Sequence, residues 1–409
     1  MNAGELAEAL RAAVREQRFD ETPDAMLGGA ALTHPPSIDL AVAAFMPGRA
    51  PVWANVLFSR EHPQGLVADI SADAGPVRNV HFLADQTDAQ LNSIAWRPHS
   101  DWSRLSWRSL GGAGAPLRFV APYPASLLKL MVAVGVARLV DAGAVVWDEA
   151  LSYQGEVREV RDWGLDMIAQ SSNQATSALV SLLHAWGAIR RDAGGEVHNE
   201  LHQLFEAQGL PTLRLANTRA DGGWGNGAGS GVGQIQMTAW DTLRLLWLLD
   251  EQAPPPPWLP PGAPPLLSAA SRARLRGWLD AQGLHTLLSS GLLAGLPGWV
   301  PGLDARLPAG WLQADGTARV AGETYPGDLR ALAARATLRF AHKTGTTENY
   351  ASDAGIVQGI APARRHYLIA LLSNLGSRYA PHPLCASTWR LPALGAAIDR
   401  YLSARMESA

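Results

Sequence analysis

The chain shows two hydrophobic patterns, one typical of strands near both ends and one typical of helices in the middle. Apolar runs of strand length occur between 38 and 85 and again after 336, separated by glycine, proline or charged residues. From 124 to about 250, apolar positions recur with helical spacing. This order predicts an α/β (α+β) fold, in which an antiparallel sheet is built from both chain ends and a helical subdomain is inserted between them.

The same patterns predict how the chain divides. Residues 1–37 form an N-terminal helical extension, residues 38–120 and 336–409 form the sheet subdomain, and residues 121–335 form the helical subdomain. A proline-rich stretch at 253–268 cannot be a helix or a central strand, and it is typical of a stiff extended connector. Because helical spacing resumes after it, we expect the parts to form one unit.

Composition excludes several classes of function. The net charge is −3 without a basic run, which argues against nucleic acid and anionic membranes as partners. Cys385 is the single cysteine, so an intrachain disulfide and a multi-cysteine metal site are excluded. No apolar stretch of about 18 residues predicts a membrane span. The N-terminus lacks the apolar core of a signal peptide, which predicts a cytoplasmic protein as written, or a periplasmic one if a leader was removed.

One polar pair interrupts the apolar segment from Ala121 to Gly143. Ser126 lies at the predicted start of a helix, and Lys129 follows one turn later on nearly the same face. An ammonium group among leucines and valines is costly unless a partner or a function retains it. The pair is either a helix cap beside a surface-seeking lysine, or a nucleophile beside its base. Further motifs are needed to separate these two hypotheses.

Two such motifs follow in the chain. Ser171-Ser172-Asn173 interrupts a helical pattern, and Lys343-Thr344-Gly345 ends a predicted strand. The order S-x-x-K, S-x-N, K-T-G resembles the penicillin-recognising serine hydrolases, which include class A β-lactamases and DD-peptidases. The resemblance covers roughly residues 120–250 and 265–400. It implies a β-lactamase/transpeptidase-like fold and an acyl-enzyme mechanism that needs no metal or cofactor.

The resemblance also implies a role for each motif residue in the predicted helical subdomain. Ser126 is the expected nucleophile, and Lys129 is its base if burial and positive neighbours lower its pKa. Ser171 is the expected proton shuttle to the leaving nitrogen. Asn173 is expected to bind the amide carbonyl of a small-molecule or peptide-like substrate.

On the strand, the resemblance implies substrate contacts. Lys343 and Thr344 are the expected carboxylate-binding pair, and Gly345 is expected to let the substrate lie against the edge strand. Thr346 is a further expected substrate-binding residue. The backbone N–H groups of Ser126 and Thr346 are the expected oxyanion hole.

Two departures limit the functional prediction. Ser172 stands where the family motif has aspartate, which puts the local loop architecture in question. Class A β-lactamases also carry an E-x-x-L-N string whose glutamate activates the deacylating water, and none occurs between 174 and 237. We therefore expect a peptidase-, amidase- or esterase-like enzyme with slow release of β-lactams. The alternatives are a β-lactamase with another base, an esterase on small acyl substrates, and a penicillin sensor that acylates without turnover.

Other residues give weaker signals. His198 and His202 lie four apart, but Glu200 is not in the H-E-x-x-H position, so no zinc site is predicted. His342 precedes the third motif and fits either a functional group or a packed strand histidine. Glu348 is expected in a solvated turn. The oligomeric state is left open.

Overall fold

The computed structural model describes residues 1–90, 92–95 and 104–407. Its helices are α1 (Ala3–Glu16), α2 (Lys129–Asp141), α3 (Val160–Ala169), α4 (Asn173–Ala185), α5 (Glu200–Ala207), α6 (Ala239–Leu249), α7 (Ala269–Asp280), α8 (Arg330–Arg335) and α9 (Arg390–Met406). Its strands are β1 (Pro23–Asp24), β2 (Ala30–Ala31), β3 (Ile38–Ala44), β4 (Val52–Phe58), β5 (Leu66–Val67), β6 (Val80–Ala84), β7 (Ser109–Gly111), β8 (Leu117–Ala121), β9 (Ala150–Tyr153), β10 (Glu156–Glu159), β11 (Ile189–Asp192), β12 (Gly195–Asn199), β13 (Arg214–Leu215), β14 (Ile235–Gln236), β15 (Ala318–Val320), β16 (Glu323–Tyr325), β17 (Leu338–Thr346), β18 (Ala351–Gly359) and β19 (His366–Ser373).

The main sheet confirms the predicted fold class. Six antiparallel strands follow the order β17-β18-β19-β3-β4-β5, so strands from the C-terminal third lie beside strands from the N-terminal sixth. The two halves meet where β19 pairs with β3 over seven residues. Strand β17 is an edge of this sheet, and its outer side is bridged by Ala305 at Leu338, at the end of the strand away from the K-T-G motif.

Each face of the sheet carries its own apolar layer. On one face, α1 and α9 pack against the sheet around side chains such as Leu10, Leu371 and Leu402. On the other face lies the helical part of the chain, with α2 at its centre. Residues Lys129–Ala137 of α2 are all buried, because neighbouring helices and the sheet cover the helix on every side. A basic residue at the start of this helix is therefore held inside the protein.

Residues 80–121 contribute a second, smaller sheet. Its strands follow the order β7-β6-β8, and β6 and β8 run parallel. Strand β8 ends at Ala121, from which the chain enters the turn that precedes α2. Within the described ranges, no helix combines the length and apolar character required to cross a membrane.

Candidate active site

The chain makes a strained turn immediately before α2. Ala125 has φ 51°, a left-handed conformation that is unfavourable for a residue with a side chain. Residues Ala125–Leu128 then form a 3-10 turn that leads into α2. Within this turn Ser126 is half-buried, whereas Ala125 and Leu127 are buried. The geometry thus exposes the serine at the start of an otherwise buried helix, and strain of this kind is concentrated at functional sites.

Lys129 is fully buried, and in the described part of the chain its amine forms hydrogen bonds with neutral groups. Nζ donates to Ser171 O at 2.6 Å and Asn173 Oδ1 at 2.8 Å, and it lies 3.1 Å from Ser171 Oγ. Burial lowers the pKa of Lys129 well below its ordinary value, and the nearby charge of Lys343 lowers it further. A neutral amine has two N–H groups and one lone pair. The two carbonyl-type oxygens can only accept, so the lone pair is left for a hydroxyl group.

Ser171 lies between α2 and β17, which form the two sides of the candidate cleft. It lies in the short break between α3 and α4 with φ 61°, again a left-handed conformation for a residue with a side chain. Its Oγ accepts a hydrogen bond from Lys343 Nζ at 3.0 Å and lies within reach of Lys129 Nζ. The hydroxyl therefore connects Lys129 at the start of α2 to Lys343 on the edge strand of the sheet.

Ser172, the residue that departs from the family motif, has a structural role. It is the N-cap of α4, and its side chain accepts from Ala175 N at 3.1 Å while its carbonyl accepts from Thr176 Oγ1 at 2.7 Å. Asn173, the next residue, is exposed, and its Oδ1 is used by Lys129. The amide nitrogen of Asn173 is thus free to donate to a ligand in the cleft. The start of α4 is thus capped without the aspartate.

Strand β17 brings the third motif against the turn that carries Ser126. Lys343 is fully buried, and its Nζ donates to Ser171 Oγ and to Thr344 O at 2.7 Å. Burial lowers the pKa of Lys343 to about 7, although the Asp353 carboxylate raises it. The two candidate lysines are thus both shifted toward the neutral form.

Gly345 is required by packing as well as by any ligand. A Cβ atom at this position would lie 2.5 Å from Pro124 O and 2.7 Å from Leu127 N, both on the turn that carries Ser126. Ser352, its partner on β18, donates its hydroxyl to Pro124 O. Glycine therefore allows the edge strand to lie directly against the turn that carries Ser126, which is a reason that sequence reasoning did not provide.

Where β17 contacts the Ser126 turn, two backbone N–H groups are not used in the backbone ladder. Thr347 N donates to Tyr350 O at 2.9 Å, so the next pair, Thr346–Ala351, is of the non-hydrogen-bonded type. The N–H of Thr346 therefore points away from β18, toward the open edge of β17. In the described part of the chain, Ser126 N–H has no backbone acceptor, as is typical at a helix start. This arrangement suits a developing oxyanion.

Sequence reasoning missed Trp224. It lies in the glycine-rich loop between β13 and β14, and its ring is 5.8 Å from Lys129 Nζ. The loop carboxylate, Asp221, is used locally, because it accepts from Gly223 N at 2.9 Å and pairs with Arg219. Among the described residues, no carboxylate is bonded to either lysine. A lone aromatic residue in a run of glycines is the signal that could have identified this position.

Lysine usage is a second signal that points to the site. The chain has 34 basic residues of the Lys and Arg type, yet Lys129 and Lys343 are its only lysines. Both lie in the candidate site, and every other position of this class is arginine, which keeps its charge. The two side-chain amines of this sequence, the basic groups that can lose a proton, therefore both lie in the candidate site.

The remaining predicted positions lie outside this cluster. Cys385 is buried, and burial raises the pKa of its thiol to about 11. His198 is on β12 and His202 on α5, so the two do not share a helix face. Glu348 is exposed in the turn between β17 and β18. In the described ranges, no group of three or more His, Cys, Asp or Glu side chains could hold a metal.

Comparisons with solved structures give distant matches. The chain is 18% identical to PBP-A, covering 74% of this chain and 86% of that one, with a TM-score of 0.41. It is 12% identical to a β-lactamase from Sphaerobacter thermophilus, covering 98% of both chains, with a TM-score of 0.49. It is 13% identical to a class A β-lactamase from Bacteroides cellulosilyticus, covering 98% and 99%, with a TM-score of 0.45. No curated protein matches the sequence significantly.

A family model gives the decisive match. It describes the Beta-lactamase enzyme family and matches residues 121–384, which is more than half of the chain. This range contains the three motifs, the glycine-rich loop and strands β17 and β18. The chain therefore belongs to the Beta-lactamase enzyme family.

Proposed function

We propose that the protein is a penicillin-binding serine hydrolase that forms a long-lived acyl-enzyme on Ser126 with β-lactams or peptide-like amides. The observation that carries this proposal is the position of Ser171 Oγ, 3.1 Å from Lys129 Nζ and 3.0 Å from Lys343 Nζ. A hydroxyl between two amines of lowered pKa suits proton transfer between a nucleophile and a leaving group.

Acylation begins at the nucleophile turn. The Lys129 lone pair takes the proton of Ser126 Oγ, and the oxygen attacks the amide carbonyl. The N–H groups of Ser126 and Thr346 bind the oxyanion, and removing one such donor typically costs about 10²–10³ in rate. Ser171 then delivers a proton to the leaving nitrogen as the C–N bond breaks, and the proton on Lys129 restores the Ser171 hydroxyl. The product is an ester between Ser126 and the acyl group.

The strand and the Asn173 amide hold the substrate. Lys343 and Thr344 bind a substrate carboxylate, and the Asn173 amide donates to the carbonyl of the acyl side chain. These contacts fix the amide along the free edge of β17 in the manner of an added strand. Gly345 keeps that edge against Ser126.

Hydrolysis of the ester needs a base that the cleft does not supply well. Trp224 lies over Lys129, and the loop carboxylate Asp221 is bonded within its own turn. Because no carboxylate among the described residues is bonded to either lysine, we expect slow activation of water and slow deacylation. The acyl-enzyme therefore accumulates with a β-lactam, whose opened ring stays tethered to the protein.

Intact-protein mass spectrometry over time, after mixing with a penicillin, tests this function. We expect a persistent adduct on the wild type and on Ser181→Ala, a control on α4 away from the lysines, and none on Ser126→Ala. An adduct retained on Ser126→Ala would overturn the assignment of the nucleophile. A transient adduct with the penicillin consumed would overturn slow deacylation and indicate a β-lactamase. Absence of an adduct would overturn penicillin binding and leave an esterase, for which hydrolysis of small acyl esters is the assay.

A further inference from the structure

A buried carboxylate outside the three motifs joins the smaller sheet to the turn between β17 and β18. Asp85 follows β6 directly, and its side chain is buried. Its Oδ2 accepts from Ser93 Oγ at 2.5 Å and from Tyr350 Oη at 3.1 Å, while its Oδ1 accepts from Gln86 N at 2.7 Å. These donors are all neutral, so burial of the carboxylate is costly unless the bonds serve a purpose. The acylation steps above use none of these groups.

Tyr350 connects that carboxylate to the end of β17. It lies in the turn between β17 and β18, where Thr347 N donates to Tyr350 O at 2.9 Å and Tyr350 N donates to Thr347 Oγ1 at 3.1 Å. These two bonds close the turn immediately after Thr346, whose N–H is one of the expected oxyanion donors. Tyr350 is therefore fixed to the strand end that presents this donor.

The ring of Tyr350 also packs against the segment that leads to Ser126. Its centroid lies 5.7 Å from that of Tyr123, at an interplanar angle of 69°, and both side chains are buried. Tyr123 precedes Pro124, whose carbonyl accepts from Leu127 N at 3.2 Å within the turn that carries Ser126. Tyr350 thus belongs to one of the two segments that supply the expected oxyanion donors and packs against the other.

The position of Asp85 suits it to hold Tyr350 in place. Strands β6 and β8 pair in parallel with Ala84 opposite Ala121, so Asp85 lies beside the chain that continues to Tyr123. A hydrogen bond to a charged acceptor is stronger than one between neutral groups, and burial strengthens it further. Burial raises the pKa of Asp85 to about 6, and the hydroxyl and N–H donors oppose that rise, so the carboxylate form predominates at neutral pH.

We propose that Tyr350, anchored by Asp85, is a positioning residue that keeps the end of β17 with the Thr346 N–H against the turn that carries Ser126. This inference rests on the proposed function, because the oxyanion forms only during acylation. Asp85 acts through Tyr350, and Tyr350 acts through the backbone of the two segments.

Single-turnover acylation by a penicillin separates positioning from binding. Tyr350→Phe removes only the hydroxyl, and we expect it to lower the acylation rate constant about ten- to a hundredfold, since a displacement of about 1 Å can cost 10² in rate. The dissociation constant of the penicillin should stay unchanged, because the oxyanion is absent before the attack. An unchanged acylation rate constant, or a loss confined to binding, would overturn the inference.

The chain offers a matched control in Tyr367 on β19. Its hydroxyl donates to Asp399 Oδ1 at 3.0 Å, its side chain is buried like that of Tyr350, and it lies in the apolar layer beside α1 and α9. Tyr367→Phe should lower stability to urea about as much as Tyr350→Phe and leave acylation unchanged. Equal losses of acylation in the two variants would indicate general destabilisation and would overturn the inference.

Asp85→Asn tests the anchor. The amide has one acceptor oxygen instead of two, so it cannot receive the same set of donors, and acylation should fall. When Asp85→Asn and Tyr350→Phe are combined, the loss should not exceed that of Tyr350→Phe alone. Wild-type acylation in Asp85→Asn, or a double variant whose loss is the product of the single losses, would contradict the anchor. Tyr350→Phe keeps the proposal testable if Asp85→Asn does not fold.

Hydrogen exchange supplies a readout that does not depend on activity. The backbone amides at 347 and 350 should exchange about two- to tenfold faster in Tyr350→Phe than in the wild type, as expected for one lost hydrogen bond. Tyr367→Phe should leave them unchanged. Unchanged exchange in Tyr350→Phe would overturn the inference whatever the acylation result. A wild type that is never acylated would overturn the proposed function and leave the exchange result standing.

Discussion

Two buried basic side chains, Arg244 in the helical core and Lys129 in the cleft, are held in opposite ways. Arg244 forms an ion pair with Asp241, and its guanidinium group lies 5.4 Å from the ring of Trp258. Asp241 in turn accepts from Thr212 N at 2.9 Å and from its hydroxyl at 2.7 Å. Every charge in this cluster is matched within it.

Lys129 has no such match. Among the described residues its hydrogen-bond partners are a carbonyl, an amide oxygen and a hydroxyl, and the charge of Lys343 that acts on its pKa is also positive. A guanidinium group cannot give up its proton, so burying it requires an anion. An amine avoids the same cost by becoming neutral, and the neutral amine is a base. The difference teaches that an unpaired buried lysine, rather than any buried cation, marks the chemistry.

The strongest test of this contrast replaces Lys129 with two residues that cannot act as a base. Arginine keeps the positive charge, and methionine removes it. Lys129→Arg and Lys129→Met should both slow acylation by about 10²–10⁴, the usual contribution of a positioned base. The measurement is the second-order rate of adduct formation with a penicillin. Acylation by Lys129→Arg within a few-fold of the wild type would contradict the base role and make the charge alone important.

The free energy of unfolding should depend on Arg244 and hardly on Lys129, in contrast to the acylation rate, which should depend on Lys129. Arg244→Leu strands the Asp241 carboxylate, so it should lower the free energy of unfolding by about 3–5 kcal/mol. Lys129→Met removes an unpaired buried amine and should leave that free energy unchanged or raise it. Urea denaturation of the two variants gives both values. A loss of several kcal/mol in Lys129→Met would show that the lysine stabilises the fold and would break the contrast.

The pH dependence of stability provides a third test. The pKa of Lys343 is about 7 in the folded protein and near 10.5 in an unfolded chain, so the unfolded state binds more protons between these values. The contribution of Lys343 to the free energy of unfolding should therefore rise with pH from about 7 to about 10.5 and be flat below 7. Lys343→Met should remove this rise. Denaturation at several pH values compares the two slopes, and identical slopes would refute the shifted pKa.

The smallest expected effect concerns Ser172, the cap that places Ser171 and Asn173 around Lys129. Ser172→Ala should destabilise the protein by about 1 kcal/mol, as is typical when an N-cap is lost. Ser172→Asp restores a side-chain acceptor and should retain the stability. Thermal unfolding of the two variants tests this, and equal losses would exclude a capping role.

The fold and the motif residues could be predicted because their signals are local. Strand β17 ends in a motif of fixed spacing, and Ser126 and Lys129 lie one helical turn apart, so the sequence itself implies that each pair is close. The sequence also predicted helix around Ser171, but as one stretch, whereas the structure divides it into α3 and α4 at this residue. These features depend on neighbours within a few residues.

The features of the fold and of the candidate site that were not predicted depend on contacts between segments far apart in the chain. Trp224 reaches Lys129 across nearly a hundred residues, and the parallel pairing of β6 with β8 has no periodic signature. The need for glycine at 345 comes from Pro124 and Leu127, which only the folded chain brings to it. Asp353 lies in an apolar strand pattern, where a single acidic residue does not reveal that it contacts His342. Sequence reasoning could not have assigned these roles.

The confinement of both lysines to the cleft has a consequence for chemical modification. Amine-reactive reagents that label surface lysines in most proteins find no side-chain target outside this site, since every other Lys or Arg position is arginine. Lys129 and Lys343 are fully buried, so such a reagent must enter the cleft to react. The rate of side-chain amine labelling therefore reports how often the cleft opens, and a small electrophile of substrate shape is a selective probe of this protein.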